Sequence, residues 1–219
     1  EPKTIKEMLS EGYGRDLSKK IKLDSVIKNV NVDPFNNSNK DTVYISVVDK
    51  DRNHVSFINS IFHPFGSGLV CPNTGILLHN RGASFNLIKN HPNFLRPSKK
   101  PMHTIIPGLL LKNNIPIMPF GVMGAHYQPV GQAHFLTNVI DYGMDVQLAL
   151  DNPRSFLYED NLALEKSFDL ETLGELEKIG HSVNYCDLPH GGGQAIYNQK
   201  NDILVGGSDP RKDGIALGF

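Results

Sequence analysis

One stretch constrains the fold more than any other, Asp41-Thr-Val-Tyr-Ile-Ser-Val-Val-Asp49. From Val43 to Val48 every residue except Ser46 is β-branched or aromatic, the composition of a strand buried on both faces. Asp49-Lys-Asp-Arg-Asn53 suits a hairpin turn, after which the chain returns through His54-Val-Ser-Phe-Ile-Asn-Ser-Ile61. Residues 33–41, just ahead, are polar and have little to bury. A threonine between a polar linker and a strand poses a chemical question: whether the bond before Thr42 is cut, making Thr42 a new N-terminal residue. Its free α-amine could then take the hydroxyl proton and serve as the base. An internal Thr42 lacks that amine, and the uncut chain would be an inactive precursor. Threonine at a strand start is more often structural, so both readings stay open at this point.

At 219 residues the chain suits one large domain or two small ones. A net charge of −1 and 21% charged residues give no electrostatic argument for nucleic acid or an anionic membrane. No apolar run reaches transmembrane length. The sequence opens on Glu1 with no signal peptide before it, which reads as a fragment or processed product; location stays open, with the cytoplasm as the default expectation. Cys71 and Cys186 match no metal or redox spacing and are expected to be buried free thiols. The nine histidines form no metal-binding pattern, so neither metal nor cofactor is expected.

Along the chain, residues 3–21 read as helix broken at Gly12-Tyr-Gly14, and residues 22–41 as linker. Past the hairpin, Phe65-Gly-Ser-Gly68 supplies a turn and Gly75-Ile-Leu-Leu78 a further buried strand. Asn80-Arg-Gly-Ala-Ser-Phe85 suits either a pocket loop or a solvated turn, and composition alone favours the turn. Residues 86–101, with three prolines, predict a long irregular loop of the kind that serves as a lid. Strands are predicted over 104–106, 108–112 and 115–120, the last running into Gly121-Val-Met-Gly-Ala-His126. A helix from Gln128 should bury Val130, Ala133, Leu136, Thr137 and Ile140. Backbone N–H groups at such a strand-to-helix junction can hold an anion, although a packing glycine explains the same pattern. Helices over 145–150 and 170–179, the latter capped by Asp169, and strands over 161–165, 183–187, 195–198 and 203–206 complete the pattern. Gly191-Gly-Gly193 is either a tight crossing or a pocket wall. Early and late strands with helices between them predict an α/β sandwich.

Ser46-Val-Val-Asp-Lys-Asp51, Phe65-Gly-Ser-Gly68 and Gly75-Ile-Leu-Leu78 occur in that order, followed by Ile140-Asp-Tyr-Gly143, Asn152-Pro-Arg154 and Ser208-Asp-Pro-Arg211. Together they resemble the small-subunit half of γ-glutamyltransferases, from about residue 42 to the end; residues 1–41 resemble the tail of the large subunit. The resemblance implies an α/β (α+β) fold of the Ntn (N-terminal nucleophile) type, an αββα four-layer sandwich. It also implies a self-processing zymogen cut between Asp41 and Thr42, with a small-subunit catalytic domain over residues 42–219. Thr42 would be the nucleophile, Ser60 its supporting hydroxyl, and the amides of Gly124 and Ala125 the oxyanion hole; an alanine at the second position prefers ordinary backbone angles.

Where γ-glutamyltransferases place an asparagine, a glutamine and an aspartate around the substrate, this chain has Phe62, Arg81 and Ser84, and in place of a serine pair it has His103 and Thr104. Without the aspartate, the substrate ammonium has no partner, whereas Arg81 suits a substrate carboxylate, with His103 and Thr104 expected to line the pocket. The pattern Asn80-Arg-Gly-Ala-Ser-Phe85 with Phe120-Gly-Val-Met-Gly124 resembles the oxamate amidohydrolase and acylase-like branch. The expected function is therefore hydrolysis or acyl transfer on a small amide or γ-glutamyl-like substrate, as in glutathione metabolism. The expected partner is the large subunit of the same precursor, with homo-oligomers left open. The contrasting reading is a catalytically silent, carboxylate-binding scaffold of the same fold.

Overall fold

The computed structural model describes residues 2–27, 42–158, 160–199 and 203–219. They fall into two compact units, one from residues 42–154 and 188–219 and the other from 2–27 and 155–187. Asp41, one side of the expected cleavage bond, lies outside the described residues, as do 28–40 of the expected linker.

The larger unit is organised by the hairpin of β1 (Val43–Val48) and β2 (His54–Asn59), paired antiparallel from Val43 opposite Asn59 to Val48 opposite His54. The hairpin lies on a four-stranded sheet of order β3-β4-β8-β9, formed by Gly108–Lys112, Ile115–Met123, Gly192–Asn198 and Leu204–Ser208. Tyr44 and Ile58 point inward and pack with Met123 and Ile105. Gly121 is required here, because a Cβ on it would stand 2.5 Å from the Tyr44 ring. The Tyr44 hydroxyl and Ser56 Oγ are 2.9 Å apart, and Ser56 Oγ donates to the Phe120 carbonyl at 3.2 Å. Burial pushes the Tyr44 hydroxyl up to about 12, against the opposing pull of the Ser56 bond, so it remains a neutral phenol.

The helices α3 (Gln128–Ile140) and α4 (Val146–Asp151) pack on the four-stranded sheet, α3 on β4 and α4 on β8 and β9. Hairpin, sheet and helices give three layers within this unit. The outer face of the hairpin, with Val43, Ile45, Val47, Val55 and Phe57, is 46–58% exposed. The expectation of a strand buried on both faces is therefore corrected: β1 alternates, because no described residue covers its second face.

Behind the sheet the chain is pinned by charge. Arg154 Nη2 meets Asp209 Oδ2 at 2.5 Å with both side chains almost wholly buried, and Asp209 also accepts from the Gly193 amide and from Arg211. The two guanidinium groups reach the carbonyls of Leu150, Asn152 and His190. The Asn-Pro-Arg and Ser-Asp-Pro-Arg motifs thus join the end of α4 to β8 and β9.

The smaller unit holds α1 (Pro2–Met8), α2 (Glu11–Ser18), a sheet of order β5-β6-β7 (Ser155–Tyr158, Asn161–Leu164, Ser182–Tyr185) and α5 (Leu170–Lys178). Asp169 caps α5 by accepting from the Thr172 amide at 2.7 Å. The helix break falls at Leu9–Ser10, where Ser10 caps α2, rather than at the glycines, which lie inside α2. β5 had no counterpart in the sequence reading.

Other expectations are corrected too. Residues 75–78 form only an isolated bridge, Val70 to Leu77, and stay largely exposed, with Leu78 47% exposed. Residues 104–106 are not strand. Cys71 and Cys186 are free but half-buried. α3 buries Gln128, Gly131, Phe135 and Asn138, whereas Val130 and Ile140 are exposed. A Cβ on Gly131 would stand 2.5 Å from the Tyr127 ring, which explains how a helix face poor in apolar residues becomes the packed one.

Candidate active site

Thr42 sits one residue before β1, half-buried, and its Oγ1 donates to Ser60 Oγ at 3.2 Å. The pairing follows from the hairpin: continuing the register one step beyond Val43 and Asn59 sets Thr42 opposite Ser60. Ser60 Oγ also accepts from the Phe62 amide at 3.1 Å, so one oxygen joins the threonine to the next turn of chain.

Phe62 is buried and holds φ at 80°, a left-handed conformation that bulky residues avoid. Its ring stacks on His63 with centroids 4.6 Å apart and lies 5.0 Å from the Arg81 guanidinium carbon. Arg81 begins a 3₁₀ turn, Arg81–Ser84, and is 4% exposed. The segment composition assigned to a solvated turn therefore points a cation inward. Arg81 Nη1 donates to Thr104 Oγ1 at 3.1 Å, whereas Nη2 is enclosed with no hydrogen-bond partner among the described residues. Burial pushes the guanidinium below its usual range, with no carboxylate among the causes to oppose it.

Ser84 Oγ lies 2.8 Å from the Arg81 carbonyl and 3.2 Å from that of Met102, so this hydroxyl braces the turn against the following loop. Asn93, buried within residues 86–101, reaches the Ser84 carbonyl and accepts from the Met102 amide. His103 is exposed, and desolvation followed by the Arg81 charge holds its imidazole below the usual range. His79, absent from the sequence-derived candidates, accepts the Arg81 amide on Nδ1 at 3.1 Å. Its signal was its place two residues ahead of the arginine in His79-Asn-Arg81.

Gly124 and Ala125 follow β4, at the junction leading through a short 3₁₀ turn into α3. Gly124 has φ 132°, and a Cβ there would stand 2.8 Å from the Gly191 Cα. Gly191 itself, at φ 64°, would drive a Cβ to 2.3 Å from the Met123 carbonyl. The glycine run is thus a tight crossing against the end of β4. Ala125 adopts φ 54°, departing from the ordinary backbone angles an alanine prefers. The structure therefore brings Thr42 together with Ser60, and Arg81 with Phe62, Ser84, Thr104 and His79. Tyr44 and Gly121 tie the strand after Thr42 to the strand before Gly124. No group of three or more His, Cys, Asp or Glu residues able to hold a metal occurs among the described residues.

A sequence profile of the family described as gamma-glutamyltranspeptidase matches residues 1–219. The chain belongs to the γ-glutamyltranspeptidase family. It is 39% identical over 189 residues to the glutathione hydrolase-like YwrD proenzyme of Bacillus subtilis, covering 82% of this chain and 36% of that protein. It is likewise 39% identical over 188 residues to the oxamate amidohydrolase proenzyme of Klebsiella pneumoniae, with the same shares covered. Among solved structures, cephalosporin acylase from Bacillus halodurans superposes with a TM-score of 0.84 at 38% identity, over 95% of this chain and 38% of that one. γ-Glutamyltranspeptidase from Pseudomonas nitroreducens gives a TM-score of 0.72 at 23% identity, over 80% of this chain and 98% of that one, a likeness of fold. The fold is that of the Ntn hydrolases, mixed α and β. The chain spans little more than a third of the curated relatives' length, 36% of each of these two.

Proposed function

We propose that the chain is the small-subunit region, with the tail of the large-subunit region over residues 1–41, of a self-processing amidohydrolase or acyltransferase. In the precursor, Thr42 Oγ1 attacks the Asp41 carbonyl. The peptide C–N bond breaks as the Asp41 acyl group passes to Oγ1, which frees the Thr42 amine. Water then hydrolyses the ester to release the Thr42 hydroxyl and the Asp41 carboxylate. In turnover that amine takes the hydroxyl proton as Oγ1 bonds to the substrate's amide carbon. The C–N bond then breaks, the amine leaves with a proton, and the acyl group remains on Thr42 until water or an acceptor amine removes it. Ser60 orients Oγ1, and the backbone amides of Gly124 and Ala125 stabilise the oxyanion.

The observation that carries this reading is the 3.2 Å contact between Thr42 Oγ1 and Ser60 Oγ at the start of a strand in an Ntn-type fold. Arg81 supports a substrate bearing a carboxylate: a buried guanidinium without a counter-charge is costly, and an anion would complete it. The same charge disfavours the free amino group of a γ-glutamyl substrate. Thr104 holds the guanidinium and Phe62 lies against it.

The test is the intact mass of the full precursor under denaturing conditions. Two pieces divided between Asp41 and Thr42 are expected, with Thr42→Ala abolishing both cleavage and turnover. An active Thr42→Ala protein would refute the reading.

A further inference from the structure

The amides of Gly124 and Ala125 stand on a strained turn. Gly124 has φ 132° and Ala125 φ 54°, and the Tyr127 amide closes the turn by donating to the Gly124 carbonyl at 3.0 Å. Left-handed backbone at an alanine persists only where the surrounding structure holds it. Here the hold comes from a distant stretch of chain, His190–Gly193, which crosses the turn at two points. The His190 ring stacks on Tyr127 with centroids 5.4 Å apart. Gly191 lies so near Gly124 that a Cβ on Gly124 would stand 2.8 Å from the Gly191 Cα. A Cβ on Gly191 would stand 2.3 Å from the Met123 carbonyl oxygen and 2.8 Å from the Tyr127 ring.

This strap is fixed on both sides of Gly191. Before it, the His190 carbonyl accepts from Arg154 Nη1 at 2.9 Å. Beyond it, the Gly193 amide donates to Asp209 Oδ2 at 2.8 Å, and the Gly193 carbonyl accepts the Asp209 amide at 3.0 Å. Arg154 and Asp209 are the two halves of the buried ion pair, and Gly192 and Gly193 pair with Met123 and Val122 of β4. Gly191 is thus a wedge of bare backbone pressed against the turn, with a buried ion pair behind it.

We infer that Gly191 is a positioning residue: anchored by the Arg154–Asp209 pair, it sets the direction in which the Gly124 and Ala125 amides point, and so how well they meet the oxyanion. This inference rests on the reading of those two amides as the oxyanion hole, and deepens it. Thr42 and Ser60 are aligned separately, by the register of the hairpin. A disturbed strap therefore weakens the hold on tetrahedral species and leaves ground-state binding near that of the parent.

The experiment uses the full-length, self-cleaved protein with glutaryl p-nitroanilide as substrate. The boronic acid analogue of the glutaryl group, with boron in place of the amide carbon, forms a tetrahedral adduct with a nucleophilic hydroxyl and reports on the oxyanion site. Glutarate reports on ground-state binding. Gly191→Ala is expected to lower kcat and to weaken the boronic acid by about a hundredfold each, with KM and glutarate inhibition within about threefold of the parent. Asp209→Asn keeps an oxygen facing the Gly193 amide and removes the charge that holds Arg154; it should show the same split at about tenfold. Misfolding has a different signature, because fewer competent sites lower kcat and leave the boronic acid's inhibition constant unchanged. That signature in Gly191→Ala, equal weakening of boronic acid and glutarate, or kinetics equal to the parent's would overturn the positioning role while the Thr42 reading stands. Failure of both variants to self-cleave counts against the role in the same way. The split in Gly191→Ala without it in Asp209→Asn would overturn the ion pair as the anchor. A self-cleaved parent that neither hydrolyses the anilide nor binds the boronic acid would overturn both the inference and the reading beneath it.

Discussion

Ser60 accepts two hydrogen bonds on one oxygen, from Thr42 Oγ1 and from the Phe62 amide. Replacing it with alanine removes that acceptor and both bonds to it. Ser60→Ala is expected to lower kcat by about a hundredfold, the scale of one lost positioning or stabilising hydrogen bond. KM should stay within about threefold, as steady-state kinetics on the processed protein would show. At this scale Thr42 stood out from its place before a strand, whereas Ser60 and Arg81 were named through the family resemblance; the structure sets Thr42 against Ser60 and encloses Arg81. The backbone of Phe62 and Ala125, at φ 80° and 54°, could not be read from the sequence. Their side chains favour other conformations, and these angles come from packing that no local pattern records. The inward direction of Arg81 was hidden for the same reason, because glycine and polar residues around it look like a solvated turn.

Among the elements, the turn of the hairpin carries its own pH dependence. The Asp49 carboxylate accepts from the Asn53 side chain, the Asn53 amide and the Asp51 amide, and these bonds hold it below the usual carboxylate range. The unfolded chain therefore takes up the proton first as pH falls. The contribution to stability is whole above the ordinary carboxylate range and is lost as pH falls through the lower, folded value. Asp49→Asn should flatten this part of the stability profile, measurable as urea midpoints between about pH 5 and pH 2. Elements with strong local signals, such as β1, β2, α4 and the capped α5, were legible in the sequence. The buried face of α3 was not: hydrophobic spacing selected Val130 and Ile140, whereas the sheet selects Gly131 and Phe135, because only glycine admits the Tyr127 ring. A close approach of this kind is a property of two elements and cannot be read from one.

For the larger unit as a whole, the buried Arg154–Asp209–Arg211 cluster is a single point of failure. Asp209 is fully buried, faces both guanidinium groups and accepts the Gly193 amide. Asp209→Ala leaves two cations without their anion and is expected to cost about 3–5 kcal/mol, the usual cost of removing one partner of a buried pair. Urea unfolding of the processed protein would check it. Arg154→Lys, which keeps the charge but cannot reach several carbonyls at once, should fall between Asp209→Ala and the parent.

The register of the hairpin has a further consequence. Thr42 faces Ser60 only because the turn between β1 and β2 returns the chain in one particular phase. That turn lies about six residues from the hydroxyl pair, roughly 20 Å along the strand. Surface turns usually accept insertions and deletions freely. This one behaves as a length standard: a residue gained or lost between Asp49 and Asn53 and passed into the strands would slide Ser60 away from the threonine and turn Tyr44 or Ile58 outward. The turn between β3 and β4, at Asn113 and Asn114, sets no hydroxyl pair, and its ladder already absorbs an irregularity between Leu110 and Leu111. Variation in length should therefore be better tolerated at the second turn than at the first.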